Sequence, residues 1–142
     1  MQKIELIYNI DDIDTVVKKF GDDVSANQIL TFTGNLGAGK TTFISRLLNC
    51  WGVTAPVVSP TFTYMNVYQL HNGKTAYHFD LYRLDDLASF EQAGFAEYLY
   101  QENSICLIEW PEIILPLIRT SVCHVSLEFV DMKTRKLSYT VK

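Results

Sequence analysis

The sequence predicts an α/β fold in three layers, in which a central sheet of parallel and antiparallel strands is flanked by helices. A buried-strand pattern at residues 28–33 leads into a glycine-rich loop, and apolar residues at helical spacing follow at 41–51. Strand patterns at 64–70 and 75–81 flank Asn72-Gly73, a strong tight-turn signal that predicts an antiparallel hairpin. A second hairpin pattern further along the chain adds the remaining antiparallel strands.

The other elements follow from periodicity and from helix-stop residues. Acidic residues in the first turn and Gly21 at the end predict the first helix, and Gly52 predicts the stop of the helix after the loop. Gly94 is a weak spot within a longer helical pattern. The remaining predicted elements are a strand at 3–8, helices at 11–20, 87–101 and 111–118, a strand at 104–109, and the hairpin strands at 122–130 and 136–141.

Composition bounds the class of protein. A chain of 142 residues, of which 48% are apolar and 20% charged, predicts one domain spanning 1–142 with a buried core. The net charge of −4 argues against broad, non-specific binding of nucleic acid. No apolar run approaches about 18 residues and no signal peptide is visible, so no membrane association is expected and the cytoplasm is the expected location.

The loop after the strand at 28–33 fits G-x-x-x-x-G-K-[ST], the phosphate-binding loop of P-loop nucleotide hydrolases. It reads Gly34, Asn35, Leu36, Gly37, Ala38, Gly39, Lys40 and Thr41. Glycines let backbone N–H groups turn toward phosphate oxygens, Lys40 reaches the β- and γ-phosphates, and the Thr41 hydroxyl binds Mg²⁺. The alternative, a glycine-rich turn that binds nothing, does not account for a strand, loop and helix in the order that the mechanism needs.

Hydrolysis needs a further carboxylate, and Glu109 stands at the end of the apolar strand at 104–109. If this strand runs parallel to the strand at 28–33, Glu109 lies near the Mg²⁺, because ligands bind beyond the carboxyl ends of parallel strands. Trp110 and Pro111 follow and restrict the backbone there. The alternative is an ordinary surface glutamate at a strand end.

Asp80 is the second candidate carboxylate. Strand alternation places His78 and Asp80 on one face, where Asp80 holds a metal-bound water or acts as a base and His78 orients it. A structural cluster with Asp80 paired to Arg83 is the alternative. The hydroxyls of residues 58–63 form a third candidate, a loop that caps the γ-phosphate as a switch loop does, or simply a polar loop.

Four segments together resemble the TsaE family (also called YjeE), the P-loop ATPase of bacterial tRNA threonylcarbamoyladenosine synthesis. They are the loop and helix start at 34–43, Ser59-Pro60-Thr61-Phe62, the segment at 78–84, and Ile108-Glu109-Trp110-Pro111. The resemblance implies a P-loop NTPase-like fold and Mg²⁺-dependent ATP hydrolysis. It also implies TsaB and TsaD as partners, a role in resetting their complex between cycles, and contact with tRNA only indirectly, through that complex.

The resemblance also implies roles for individual residues. Lys40, Asp80 and Glu109 are implied as catalytic, with Thr41 and Glu109 binding Mg²⁺. Arg135 packs on the adenine by this analogy, and Asp11 or Asp12 approaches the base. The nucleotide-binding set is Asn35, Leu36, Gly37, Ala38, Gly39, Lys40, Thr41, Thr42, Asp11, Trp110 and Arg135.

Two other functions fit a P-loop without the resemblance. A small kinase would phosphorylate a metabolite, but no arginine-rich lid is visible among the four arginines, Arg46, Arg83, Arg119 and Arg135. A nucleotide-sensing module would bind without meaningful turnover. No guanine-reading Asn-Lys-x-Asp motif occurs, so a Ras-like GTPase is not expected. No arginine finger is identifiable in the chain itself, so slow turnover that a partner assists is expected.

Overall fold

The computed structural model describes residues 1–60 and 62–141. Within them the strands are β1 (Gln2–Asn9), β2 (Ile29–Thr33), β3 (Met65–Gln69), β4 (Thr75–Asp80), β5 (Ser104–Glu109), β6 (Val122–Asp131) and β7 (Thr134–Val141). The α-helices there are α1 (Ile13–Val24), α2 (Lys40–Cys50) and α3 (Leu87–Gln92), and 3₁₀ turns occur at Ile10–Asp12, Phe95–Tyr98 and Glu112–Leu117.

The strands of this described part form one mixed sheet in the order β1-β7-β6-β2-β5-β4-β3. Its centre is parallel, because β2 pairs in parallel with β5 and β6, and β4 pairs in parallel with β5. Its flanks are the antiparallel hairpins β3–β4 and β6–β7, with β1 antiparallel to β7. The predicted mixed α/β sheet is confirmed. We call the edge at which β2, β4, β5 and β6 end the C-terminal edge.

The core lies on both faces of the sheet. On one face, α1 and α2 pack their aromatic rings against β2, with Phe20 and Phe43 centroids 5.3 Å apart and Phe32 fully buried. On the other face, α3 and the turn at Phe95–Tyr98 cover β4 and β5, with Phe79 and Phe90 centroids 5.8 Å apart. Each such buried ring contributes about 1.5–3 kcal/mol, so the sheet is held rigid beneath the loops at its edge.

Three predicted elements have boundaries that differ from the structure by two residues or more. The helix predicted at 87–101 ends at Gln92, because Gly94 adopts a left-handed φ of 79° and a 3₁₀ turn follows. The first helix begins at Ile13, after the 3₁₀ turn, and runs through Gly21 to Val24; Gly21 packs closely against the Trp51 ring, from which an added Cβ would lie 3.0 Å.

The last elements differ less from the prediction. The short helix predicted at 111–118 is a 3₁₀ helix at Glu112–Leu117 that contains Pro116. The last strand begins at Thr134 rather than 136, because β6 and β7 pair up to Asp131↔Thr134. None of the helices in the described part is long and apolar enough to cross a membrane.

Candidate functional site

The glycine-rich loop joins β2 to α2 at the C-terminal edge, as its sequence predicts. Gly37 and Gly39 have left-handed φ angles of 83° and 94°, which side chains with a Cβ adopt only with strain. At Gly34 an added Cβ would lie 2.2 Å from the backbone oxygen of Leu127. Because α2 begins at Lys40, its free N–H groups and positive end face the loop, which is a favourable arrangement for an anion.

Lys40 points its ammonium group into the loop. The side chain is only 5% exposed, and Nζ donates to the carbonyl oxygens of Gly34 and of Asn35, the latter at 3.2 Å. The same nitrogen lies 4.1 Å from the centroid of the Trp110 ring. Burial lowers the pKa of Lys40, and the negative charges of Glu109, Asp80 and Glu112 oppose that shift. A desolvated cation therefore stands at the point where phosphate oxygens would bind.

Glu109 lies beside the start of α2. The Thr41 hydroxyl Oγ1 donates to Oε1 of Glu109 at 2.9 Å and also approaches Oε2 at 3.2 Å. This contact follows from the parallel pairing of β2 and β5, in which Phe32 and Glu109 are register partners. The carboxylate is 2% exposed, so Glu109 is not an ordinary surface residue.

A hydroxyl and one carboxylate are the oxygen ligands that suit Mg²⁺, which binds few protein groups and completes its shell with phosphate and water. In residues 1–60 and 62–141 no group of three or more His, Cys, Asp or Glu side chains is arranged to hold a metal ion. Thr41 and Glu109 therefore fit an Mg²⁺ bound together with a nucleotide, rather than a cation enclosed by protein ligands alone.

His78 contacts Glu109 and not Asp80, so the prediction that His78 orients Asp80 was wrong. Its Nε2 lies 2.7 Å from Oε2 of Glu109. The register of β4 and β5 explains the difference, because His78 pairs with Leu107 and thus has Glu109 as its diagonal neighbour on the same face. Asp80, two residues further along β4, has already reached the strand end.

Asp80 is held by two hydrogen bonds at the C-terminal edge. The Ser59 hydroxyl donates to Oδ2 at 2.7 Å, and the backbone N–H of Tyr82 donates to Oδ1 at 3.1 Å. Among the described residues no ion pair links Asp80 to Arg83, whose guanidinium carbon lies 5.5 Å from the centroid of the Phe62 ring. The predicted phosphate-capping loop thus contacts the predicted water-binding carboxylate through Ser59. Thr61 of that loop lies outside the described residues.

These groups line a cleft of about 420 Å³ at the C-terminal edge. Its lining consists of Leu36, Gly37, Gly39, Lys40, Thr41, Thr42, Ser59, Asp80, Glu109, Trp110 and Arg135. The structure therefore brings most of the predicted site residues together. Trp110 forms one wall, with a left-handed φ of 57° and its ring centroid 4.8 Å from that of Tyr82. Neither the Tyr82 stack nor the partner of Ser59 has a signal in the sequence.

Three predicted nucleotide-binding residues lie outside this lining. The carbonyl oxygen of Asn35 accepts a hydrogen bond from Lys40, and Ala38, within the loop, is buried. Asp11 and Asp12 are both exposed on the 3₁₀ turn after β1, which lies at the same edge of the sheet. Asp11 is near Lys133 there, with Oδ2 and Nζ 3.9 Å apart.

Arg135 reaches the cleft from the start of β7. Its Nη1 donates to the backbone oxygens of Asp131 at 2.7 Å and Thr134 at 3.0 Å. Its guanidinium carbon lies 4.8 Å from the centroid of the Phe129 ring. The side chain therefore presents a flat, fixed group close to Gly39, from whose ideal Cβ position Nε is 3.6 Å distant.

The fold agrees with comparisons to known proteins. The family described as threonylcarbamoyl adenosine biosynthesis protein TsaE matches residues 7–137. The chain belongs to the TsaE family. A TsaE protein of Rickettsia felis, named as a tRNA threonylcarbamoyladenosine biosynthesis protein, is 34% identical over 134 residues, covering 94% of this chain and 77% of the relative.

Other TsaE relatives and one solved structure give the same result. The TsaE protein of Bacillus subtilis is 30% identical over 132 residues, which cover 93% of this chain and 81% of the relative. The TsaE protein of Haemophilus influenzae is 41% identical over 98 residues, which cover 69% of this chain and 61% of the relative. The crystal structure of Bacillus subtilis YdiB superposes with a TM-score of 0.74 at 25% identity and covers 99% of this chain and 86% of YdiB.

Proposed function

We propose that this chain binds ATP with Mg²⁺ in the cleft at the C-terminal edge, hydrolyses it slowly, and acts in tRNA threonylcarbamoyladenosine biosynthesis. The observation that carries the chemical part is the contact between Thr41 and Glu109, 2.9 Å apart and next to the buried ammonium of Lys40. A glycine-rich loop alone accounts for phosphate binding. The added hydroxyl–carboxylate pair supplies the oxygen ligands that an Mg²⁺–nucleotide complex needs.

Each residue then has a task that its surroundings support. Lys40 and the N–H groups at the start of α2 bind phosphate oxygens, and Thr41 and Glu109 hold the Mg²⁺. When bound, Mg²⁺ neutralises charge that develops on the phosphate oxygens. Asp80 accepts a hydrogen bond from the attacking water and so orients it, while Ser59 and the Tyr82 N–H hold the carboxylate in place.

Slow turnover by the chain alone follows from the position of its cations. In the described part of the chain, Arg135 is the one arginine that lines the cleft, and it is bound to carbonyl oxygens and to Phe129. It therefore does not serve as an arginine finger, which in other phosphate-transferring proteins raises turnover about 10³–10⁵-fold. The cleft contains the other groups that ATP hydrolysis needs, so we propose that a partner protein raises the rate of hydrolysis.

The partner that we propose is the complex of TsaB and TsaD, in the cytoplasm. The family membership and the pathway in the names of the relatives support this choice. In this proposal TsaD transfers the threonylcarbamoyl group, and hydrolysis by this chain resets the complex between cycles. The tRNA meets the complex rather than this chain, in keeping with its net charge of −4.

The test is phosphate release from ATP by the purified chain with Mg²⁺, alone and with TsaB and TsaD added. The proposal predicts slow release that rises when both partners are present and stays at background with the Lys40→Ala variant. A rate of phosphate release that does not change when TsaB and TsaD are added would contradict the proposed pathway. Phosphate that appears on an added metabolite instead of free in solution would identify a kinase. Full restoration of tRNA modification in cells by Glu109→Ala but not by Lys40→Ala would indicate a nucleotide sensor.

A further inference from the structure

His78 is a fully buried histidine to which the proposed hydrolysis assigns no task. It is 0% exposed and lies on the face of β4 that also carries Ala76, which belongs to the apolar cluster beneath α1 and α2. A buried imidazole is costly to desolvate unless its polar atoms are hydrogen-bonded, whereas a leucine of similar size would pack there without that cost. The hydrogen bonds of His78 therefore indicate why a histidine occupies the position.

Its ring makes one such bond within residues 1–60 and 62–141. Nε2 lies 2.7 Å from Oε2 of Glu109, while Nδ1 has no hydrogen-bond partner there. A carboxylate oxygen accepts hydrogen bonds, so the ring presents an Nε2–H donor to Glu109. The orientation of His78 thus serves Glu109 and no other described residue.

The ammonium of Lys40 competes with Thr41 for the carboxylate of Glu109. Lys40 is the residue before Thr41 and lines the same cleft as Glu109, so its ammonium can attract the carboxylate. Yet no ion pair within 4.0 Å joins the two among the described residues. Lys40 instead binds the oxygens of Gly34 and Asn35, and Oε1 of Glu109 accepts from Thr41 at 2.9 Å.

We propose that His78 is a positioning residue whose Nε2–H holds the carboxylate of Glu109 toward Thr41 and away from Lys40. The metal ligand and the phosphate-binding cation are thereby kept separate within one small cleft. The proposal rests on the proposed function, because it concerns the Mg²⁺ that Thr41 and Glu109 are suited to hold. Groups that orient a metal ligand in this way typically change metal affinity or activity 10–100-fold when they are replaced.

The test compares His78→Gln with His78→Asn. The amide nitrogen of glutamine reaches about as far from the backbone as Nε2, whereas the asparagine amide is one methylene shorter. The readout is calorimetric binding of a non-hydrolysable ATP analogue at increasing Mg²⁺ and, separately, in EDTA. His124→Asn is the matched control, since this exposed histidine on β6 bonds Thr31 at 2.7 Å, away from the cleft.

We expect the Asn variant to require about 10-fold more Mg²⁺ than the wild type for half-maximal enhancement of binding, and the Gln variant and the control to stay within about 3-fold. In EDTA the Gln variant and the control should bind the analogue as the wild type does, whereas the Asn variant should bind it more weakly, because the released carboxylate of Glu109 can then approach Lys40. A purely structural role would instead lower the thermal midpoint without a selective effect on Mg²⁺.

Wild-type Mg²⁺ dependence in the Asn variant, or an equal loss in both variants, would overturn the positioning role while leaving the proposed function intact. Analogue binding by the wild type that is indifferent to Mg²⁺ would instead remove the proposed function, and the positioning role with it. Thermal unfolding checks that each variant is folded. Should His78→Asn not fold, His78→Ser, which also lacks a donor at that distance, takes its place with the same expected loss.

Discussion

The edge of the sheet at which the parallel strands begin and the edge at which they end differ in the burial of their charged side chains. A concavity larger than the cleft, about 690 Å³, lies at the edge where the parallel strands begin, and its lining includes Asp23, Arg119 and Ser121. The cleft at the C-terminal edge is smaller, about 420 Å³. Only the smaller one contains charged side chains that are almost fully buried, namely Lys40 at 5% exposed and Glu109 at 2%.

This difference shows that the volume of a concavity does not locate the function. The charged side chains at the beginning edge, Asp23 and Arg119, are exposed, and water screens them. At the C-terminal edge the charges of Lys40 and Glu109 are desolvated, where an electrostatic interaction with a ligand is strongest. Desolvated charges are costly to a fold, so their presence at one edge supports our proposal that a charged ligand binds there.

The largest expected effect comes from removing the buried cation. Lys40→Ala should weaken ATP binding by about 2–5 kcal/mol, or roughly 30- to 4000-fold, since it removes a charge-assisted contact from a partly buried site. Arg119→Ala at the opposite edge should leave the affinity unchanged. Calorimetry with both variants measures the difference in ATP affinity. Unchanged affinity in Lys40→Ala would show that the buried ammonium at the C-terminal edge does not bind the phosphates.

Glu109→Gln should affect turnover more than binding. The variant keeps the shape of the side chain but removes the charge that faces Thr41, so Mg²⁺ is held poorly. Loss of one group that stabilises developing charge costs on the order of 10²–10³-fold in rate. Phosphate release in the presence of the partners should fall by that factor, while ATP affinity in EDTA should not decrease. A wild-type rate in this variant would show that Glu109 is a structural carboxylate.

Ser59→Ala tests whether the hydrogen bond from Ser59 supports the role of Asp80 in hydrolysis. It removes the hydroxyl that donates to Oδ2 at 2.7 Å, while the Tyr82 N–H still holds Oδ1. We expect turnover to fall about 10-fold with little change in ATP affinity, because a hydrogen bond to a charged group contributes about 1.5–3 kcal/mol. Ser121→Ala, which removes a hydroxyl that accepts from Gln28 N–H at the opposite edge, is the control. Equal effects of the two variants would contradict a role at the cleft.

The effect expected to be smallest near neutral pH is the pH dependence of ATP binding. Burial lowers the pKa of Lys40 below its ordinary value of 10.5, so the ammonium loses its proton at a lower pH than an exposed lysine does. ATP affinity should therefore be constant below that lowered pKa and fall as the pH rises through it. Lys40→Arg stays charged throughout and should show no such fall, however weakly it binds. An affinity of the wild type that is flat up to pH 10.5 would contradict the desolvation of Lys40.

The sequence predicted those parts of the molecule that local chemistry determines. The loop at 34–41 and the hairpin across Asn72-Gly73 depend on glycine conformations and on neighbouring strand patterns, and both were predicted correctly. The position of Glu109 also followed, because an apolar strand that ends in a carboxylate brings it to the C-terminal edge once the strand is parallel.

Other parts depend on contacts between distant residues and had no local signal. That His78 serves Glu109 rather than Asp80 is set by the register of β4 on β5, which the sequence does not reveal. The bond from Ser59 to Asp80 spans 21 positions. Gly21 sits inside α1 because the packing against Trp51 requires it, and this tertiary contact overrides the usual helix-ending tendency of glycine.

A crystal structure with a non-hydrolysable ATP analogue and Mg²⁺ would show where the nucleotide binds. We predict that the phosphates lie within the loop at 34–41, that Lys40 binds a phosphate oxygen, and that Thr41 and Glu109 hold the metal ion. A nucleotide seated in the larger concavity beside Arg119, or a metal ion remote from Glu109, would contradict this prediction.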